Sequence, residues 1–224
     1  MNIAIIPARA GSKRIKNKNI KNFYKKPMIY WVVKKIIDSN IFDLIVVSSD
    51  SLKILNLSKK YGATTFIKRP KKLANDYAST IEVVLHSIEY LLKKKKNIKN
   101  IFCIYPCNPF LKIADLKKSL IFLKKYPKSI TFTVTKYSHP IQRALKMNKN
   151  KKITYVNKSM KYKRTQDLTN HYYDAAQFYV GKIDSWRNYN RASKIGLEIP
   201  AWRVADIDNH SDWKKAQLLF KIIR

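Results

Sequence analysis

Five cations fall within ten residues near the amino terminus: Arg9, Lys13, Arg14, Lys16 and Lys18. Between the first two lies the small-residue turn Ala10-Gly11-Ser12, and just before them the apolar run Ile3-Ala4-Ile5-Ile6 ends at Pro7. Small residues let backbone N–H groups approach phosphate oxygens, and the cations supply the countercharge that a polyphosphate requires. The glycine spacing of GxGxxG is missing, as is the Gly-Lys-Ser/Thr ending of a Walker A loop. On these residues alone, a phosphate site of another kind and a basic surface loop both stay open.

A second constellation lies near the other end of the chain. Asp206 and Asp208 flank Ile207, and on a strand a period of two puts both carboxylates on one side. Paired hard oxygen donors suit Mg²⁺ that also binds phosphate oxygens. A strand end leading to an N-cap for the last helix fits the same residues, with Ser211 as a rival cap.

Other polar residues allow two readings each. Arg69 precedes Pro70, which stiffens the backbone there, and suits either a structural salt bridge or a nucleotide contact. Asp76, Ser79 and Thr80 stand where a helix over 80–92 begins, and cap it as readily as they bind a ligand. Pro106 and Pro109 bracket a stiff loop in which Cys107 and Asn108 are candidate pocket walls, while Asp50 is either a turn residue or pocket lining. His139 and His171 are lone loop histidines and are left out of the catalytic set. Two cysteines, Cys103 and Cys107, build neither a disulfide framework nor a zinc site, and read as small buried hydrophobes.

The elements that must position these groups follow from periodicity. Ile3–Ile6, Leu44–Val47, Thr64–Ile67 and Ile101–Tyr105 are short runs apolar on both sides, which predicts buried strands. Between them come helices: one opened by Pro27 over 28–37, one through Lys60 with Gly62 as a left-handed cap, one over 80–92 and one over 113–123. Strand and helix in alternation predict a doubly wound, mostly parallel α/β sheet, with ligands outside the carboxyl ends of the strands. After about Lys125 the pattern changes. Ser129–Tyr137 alternates with β-branched residues, and the stretch to Lys163 has no helical period, so an antiparallel arm inserted at about 130–175 is expected. Gln177–Val180 and Val204–Ile207 are expected to return to the sheet, and 213–223 to close the chain as an amphipathic helix. The expectation is one domain, residues 1–224.

The net charge is +33, from 47 Lys and Arg against 14 Asp and Glu. Such an excess invites a nucleic-acid partner, with Tyr and Phe interleaved among the lysines. It also accompanies a chain strewn with Lys, Ile and Asn through coding bias, and clusters such as Lys93–Lys96 and Lys149–Lys152 look like solvated loops. No nucleic-acid-binding motif appears. Asn2–Pro7 is a strand rather than a signal sequence, and no apolar run approaches membrane-spanning length, so a cytoplasmic protein without a membrane partner is expected.

Taken together, four blocks resemble the acylneuraminate cytidylyltransferases, the CMP-sialic acid synthetase family. They are Ile6-Pro7-Ala8-Arg9-Ala10-Gly11-Ser12-Lys13-Arg14 with Lys18-Asn19; Arg69-Pro70 with Leu73-Ala74-Asn75-Asp76 and Ser79-Thr80; Tyr105 to Phe110; and Asp206-Ile207-Asp208. The resemblance spans nearly the whole chain and implies a Rossmann-like nucleotidyltransferase fold that transfers CMP from CTP to an acidic nine-carbon sugar. It implies CTP at Ala8, Arg9, Ala10, Gly11, Ser12, Lys13, Lys18, Asn19, Arg69, Asn75, Asp76 and Ser79. Mg²⁺ would sit at Asp206 and Asp208, with Arg9, Lys13 and Asp208 catalytic. Sugar contacts would come from Asn108, Arg143, Arg164, Gln166, Asp174, Gln177 and Tyr179, the two arginines offering a fork to the sugar carboxylate. The run Tyr173-Asp174-Ala175-Ala176-Gln177-Phe178-Tyr179 looks like the pseudaminic acid branch, and Pro140 to Ala144 has the same character. Sialic and legionaminic acids are the alternatives; the blocks argue against the eight-carbon Kdo. The chain departs from the family at Ala176 for Gly, Val180 for Trp and Lys16 for Pro. The resemblance also implies a homodimer whose arm reaches over the neighbour's site.

Overall fold

The computed structural model describes residues 1–223. In chain order the elements are β1 (Asn2–Pro7), a small hairpin of β2 (Asn22–Phe23) and β3 (Lys26–Pro27), α1 (Met28–Ser39), β4 (Leu44–Ser49), α2 (Leu52–Lys60), β5 (Thr65–Lys68) and α3 (Thr80–Lys93). Then follow β6 (Asn100–Ile104), α4 (Ile113–Lys125), β7 (Ser129–Lys136), the hairpin β8 (Leu145–Met147) and β9 (Ile153–Tyr155), β10 (Tyr172–Gly181), α5 (Ile183–Arg187), β11 (Ser193–Glu198) and α6 (His210–Ile223).

Seven strands form one sheet in the order β11-β7-β10-β6-β1-β4-β5. β5, β4, β1 and β6 pair in parallel, β10 runs antiparallel to both β6 and β7, and β11 is parallel to β7. The continuous apolar runs follow from cover on both faces. Ala4 and Ile6 point into a core with α1, α2 and α4, whereas Ile3 and Ile5 point into one with α3 and α5. β6 divides the same way: Phe102 and Ile104 face one side, Ile101 and Cys103 the other. Burial pushes the Cys103 thiol up to about 12, as a small core hydrophobe requires.

Local signals mostly act as read. Gly62 has φ 96°, and a Cβ there would lie 2.7 Å from Ile37 Cδ1, so the turn after α2 needs glycine for both reasons. Pro27 ends β3 and precedes the first turn of α1, without a side-chain capping bond.

Three expectations are corrected. Ser129–Lys136 is no part of an arm: its alternate residues Thr131, Thr133 and Thr135 are buried, and the strand lies inside the main sheet. What projects is 137–171, with the β8–β9 hairpin and single 3-10 turns. Val204–Ile207 does not rejoin the sheet; Ser193–Glu198 does, as the edge strand β11. Gly196 lets β11 close against Val134, where a Cβ would meet Cγ2 at 2.9 Å. The last helix begins at His210 and is capped by Asn209, whose Oδ1 accepts from the amide of Asp212 at 3.0 Å while Asp212 Oδ2 accepts from Asn209 N–H at 3.0 Å. That reciprocal cap leaves Asp206 and Asp208 free of capping duty and excludes Ser211 as the cap. Among the described residues, no helix is long and apolar enough to cross a membrane.

Candidate active site

The sheet reverses its winding between β1 and β6: β1, β4 and β5 step one way, and β6 then lies on the other side of β1. A crevice opens there, beyond the carboxyl ends of the strands, where this class of sheet binds its ligands. It is a cavity of about 620 Å³ whose walls come from the loop after β1, from residues 69–83, from Tyr105 to Cys107 and from Ala205 to Asp208.

The loop after β1 is held by side chains from other elements. Ala8 N–H donates to Ser48 O at 2.9 Å, extending the parallel pairing past the strand end. Ala10 N–H donates to Asp50 Oδ1 at 2.8 Å, and Asn19 Nδ2 donates to Arg9 O at 2.8 Å. Cys107 Sγ donates to Asn19 Oδ1 at 3.2 Å, which ties the loop to the end of β6. Ser12 N–H turns back onto Ala10 O at 2.8 Å. Gly11 is exposed, and a Cβ on it would meet nothing within 4 Å. Neither crowding nor a positive φ explains glycine at this position.

The loop cations meet two carboxylates. Asp76 pairs with Arg9 (2.7 Å) and Lys13 (2.5 Å), and Asp208 with Arg14 (2.7 Å) and Lys18 (3.4 Å). Lys18 Nζ also donates to Ile207 O at 2.6 Å, fixing the segment that carries the second carboxylate. Lys13 and Arg9 hold the Asp76 carboxyl below its usual range. Desolvation, then the charge of Asp208, raises that of Asp206. Arg69 is buried, with Nη2 donating to Ser48 O at 2.9 Å and Nη1 to Leu73 O at 3.4 Å, so it braces the wall through carbonyls rather than a carboxylate. Tyr105 OH and Thr80 Oγ1 lie 3.1 Å apart, and burial pushes the phenol up to about 12, so it stands neutral in the wall.

The cytidylyltransferase family profile matches residues 3–210. The chain belongs to that family. It is 36% identical over 224 residues to the pseudaminic acid cytidylyltransferase of Campylobacter jejuni, covering 99% of this chain and 97% of that protein. It is 32% identical over 143 residues to the N-acylneuraminate cytidylyltransferase of Escherichia coli, across 62% of this chain and 32% of that protein. Among solved structures the fold matches CMP:2-keto-3-deoxy-manno-octonic acid synthetase complexed with CTP, with TM-score 0.73 at 16% identity, over 100% of this chain and 99% of that one. A 4-diphosphocytidyl-2C-methyl-D-erythritol synthase follows at TM-score 0.70 and 12% identity, over 98% of each chain. The doubly wound sheet is thus the one shared by these nucleotidyltransferases.

Of the residues that the family resemblance implied, the cavity gathers Arg9, Ser12, Lys13, Lys18, Asn19, Arg69, Asn75, Asp76, Asp206 and Asp208. Ala8 is buried beneath the loop, and Ala10 and Gly11 connect lining residues without lining it themselves. Ser79 takes the capping reading and does not line the cavity. Its side chain forms a capping box with Glu82 at the start of α3, and its neighbours Ala78 and Thr80 line the wall instead.

The residues proposed for the sugar are not brought together in one chain. Asn108 is buried and off the wall, its Nδ2 without a partner among the described residues. Arg143, Arg164 and Gln166 lie on the arm; Arg143 donates to Thr165 Oγ1 at 3.3 Å and Arg164 pairs with Asp167 at 2.9 Å. Gln177 is buried and donates from Nε2 to Arg203 O at 2.9 Å. Asp174 accepts from Ala176 N–H at 2.8 Å and from the Tyr179 hydroxyl, so the two side chains bond within β10, and neither lines the cavity. They hold a bulge: between the pairs Asp174–Val134 and Tyr179–Phe132, four residues of β10 lie opposite the single Thr133 of β7. At its crest Ala176 has φ 49° and reaches the cavity wall. This left-handed conformation explains why glycine suits the position, and alanine keeps it here at a cost.

Sequence reasoning left Asp50 undecided between turn and pocket, and missed the Thr80–Tyr105 pair. Asp50 was findable, since it follows a parallel strand beside β1 at the switch point; the Thr80–Tyr105 contact, 25 residues apart, carries no sequence signal.

Proposed function

We propose that this protein transfers CMP from CTP to the anomeric hydroxyl of a nonulosonic acid, pseudaminic acid first among them, and releases pyrophosphate. The observation that carries the reading is the cavity at the switch point, where Arg9, Lys13, Arg14 and Lys18 converge with Asp206 and Asp208. The full-length similarity to a pseudaminic acid cytidylyltransferase supports the choice of sugar.

Each residue has a physical task. The four cations offset triphosphate charge and orient it, and Gly11 leaves clearance for phosphate against the loop. Tyr105, Thr80 and the braced Arg69 form a fixed wall for the nucleoside. The sugar hydroxyl gives up its proton to water as its oxygen attacks the α-phosphorus, the bond to the bridging oxygen of the β-phosphate breaks, and pyrophosphate leaves in line with that electron pair. Loop cations aimed at the leaving group stabilise the charge it gains. Asp206 and Asp208 fit Mg²⁺, because both are hard oxygen donors lining one cavity with the loop cations, and they would hold the ion there. When bound, the ion would neutralise phosphate charge and acidify the attacking hydroxyl.

The sugar carboxylate needs a cation that the cavity wall does not set aside for it. The arm supplies Arg143 and Arg164, and we propose that it does so across a homodimer. A cytoplasmic location, where CTP is made, belongs to the same reading. The test is pyrophosphate release from CTP and Mg²⁺ with pseudaminic, legionaminic and N-acetylneuraminic acids in parallel. Release with pseudaminic acid alone is expected. Release with another of the three moves the specificity within the family, and folded protein silent with all three overturns the reading.

A further inference from the structure

Asp76 is a carboxylate in a cavity read as a triphosphate site, and it cannot itself attract phosphate. Its oxygens are divided between two loop cations: Oδ1 accepts from Arg9 Nη1 at 2.7 Å, and Oδ2 lies 2.5 Å from Lys13 Nζ. Arg9 Nη1 also donates to Asn75 O at 3.0 Å. The turn that presents Asp76 is built by Asn75, not by Asp76. Asn75 Oδ1 accepts from Tyr77 and Ala78 N–H at 2.9 and 2.8 Å, and its Nδ2 donates to Lys72 O at 3.0 Å. Asp76 is therefore held in place by its neighbour and spends its own charge entirely on the two cations.

These pairs are exchangeable. The Asp76 side chain is 38% exposed and that of Lys13 81%. The Arg203–Asp115 pair elsewhere in the fold is 5% and 15% exposed and has no such freedom. A water-exposed ion pair contributes little, so a polyphosphate can exchange for the carboxylate on both cations.

We propose that Asp76 is a resident competitor for the phosphate-binding cations: its carboxylate pairs with Arg9 and Lys13, and nucleotide or pyrophosphate must displace it to engage them. The proposal rests on reading the cavity as the CTP site and assigns Asp76 a sign opposite to that of a ligand. The competition weakens binding of substrate and product alike. It speeds departure of pyrophosphate, because the carboxylate recaptures the cations as the phosphate leaves. The low-lying carboxyl means the competitor is charged throughout the neutral range.

Calorimetric titration of CTP, and separately of pyrophosphate, into wild type, Asp76→Asn and Asp76→Ser in the presence of chelator tests this without metal. Both variants are expected to bind both ligands about threefold to tenfold tighter, the range that loss of two exposed ion pairs allows. Both should keep the wild-type melting temperature, since Asn75 builds the turn. Equal or weaker binding by both variants, with measurable wild-type affinity, overturns the competitor and leaves the CTP reading intact. Wild-type protein that binds neither ligand removes the CTP reading and the competitor with it.

Discussion

The cavity end of the sheet and the arm of residues 137–171 draw on the same polar residue types and use them differently. Around the cavity, side-chain bonds join distant parts of the chain: Asp50 to Ala10, Arg9 to Asp76, Arg14 to Asp208 and Cys107 to Asn19. On the arm, most are local. Asn148 holds the amides of residues 150 and 152, Asn157 that of Ser159, and Arg164 pairs with Asp167. Leu145, Met147, Ile153 and Val156 stay more than half exposed there. Long-range bonds preorganise the cavity, whereas local bonds on the arm leave its apolar side chains exposed. The cavity is therefore fixed by the fold as a whole, and the arm mostly by its own turns.

The sharpest way to break the contrast is at the second carboxylate. Asp208→Ala should lower pyrophosphate release at least ~100-fold, more than outer-shell changes at metal sites cost. Its melting temperature should stay near wild type, because Arg14 and Lys18 pair with it at the surface. Activity near wild type, still dependent on Mg²⁺, would remove Asp208 from the proposed Mg²⁺ ligands. Next comes the buried brace. Asp115→Ala leaves the Arg203 guanidinium unpaired in the interior, and urea unfolding should show a loss of about 3–5 kcal/mol. No arm substitution should approach that figure.

The arm is tested by Arg143→Ala with Arg164→Ala. Stability should move by less than ~0.5 kcal/mol, as at other surface sites. Activity should fall about tenfold, the loss of one exposed charge-assisted contact to substrate. Mixing this double variant with Asp208→Ala should restore turnover if the arginines serve the neighbour's cavity. Mixed samples no more active than their parts would place the arm's role in its own chain. The smallest effect is expected at the bulge: Ala176→Gly should stabilise by up to about 1 kcal/mol in thermal unfolding, since glycine adopts φ 49° without the Cβ clash.

Much of this architecture is legible in the sequence because buried strands announce themselves. Ile3 to Ile6 and Ile101 to Ile104 have no polar side because both faces are covered. β11 is invisible by the same logic: an edge strand of Ser193, Lys194 and Glu198 buries little besides Leu197. Val204–Ile207 misleads because Ile207 is buried in a segment that never pairs. The arm's start is misplaced because β7 alternates like a hairpin while burying its threonines. In the site, the cations are readable from local spacing. Their pairings with Asp76 and Asp208 are not, being closed by the fold across 67 and 194 positions. Asp174 and Tyr179 tie the bulge of β10 and Gln177 binds Arg203 O, and nothing local in the sequence distinguishes such structural bonds from contacts to a sugar.

The two cysteines provide a built-in pair of chemical reporters. Cys103 sits in the core and reacts with an alkylating reagent only when the chain opens, so its labelling rate times global unfolding. Cys107 lines the cavity with its thiol protonated, and reacts slowly until the wall loosens. Anything that fills the cavity shields the second and leaves the first to global stability. One mass-spectrometric time course of alkylation would then separate occupancy from unfolding, with no residue substituted.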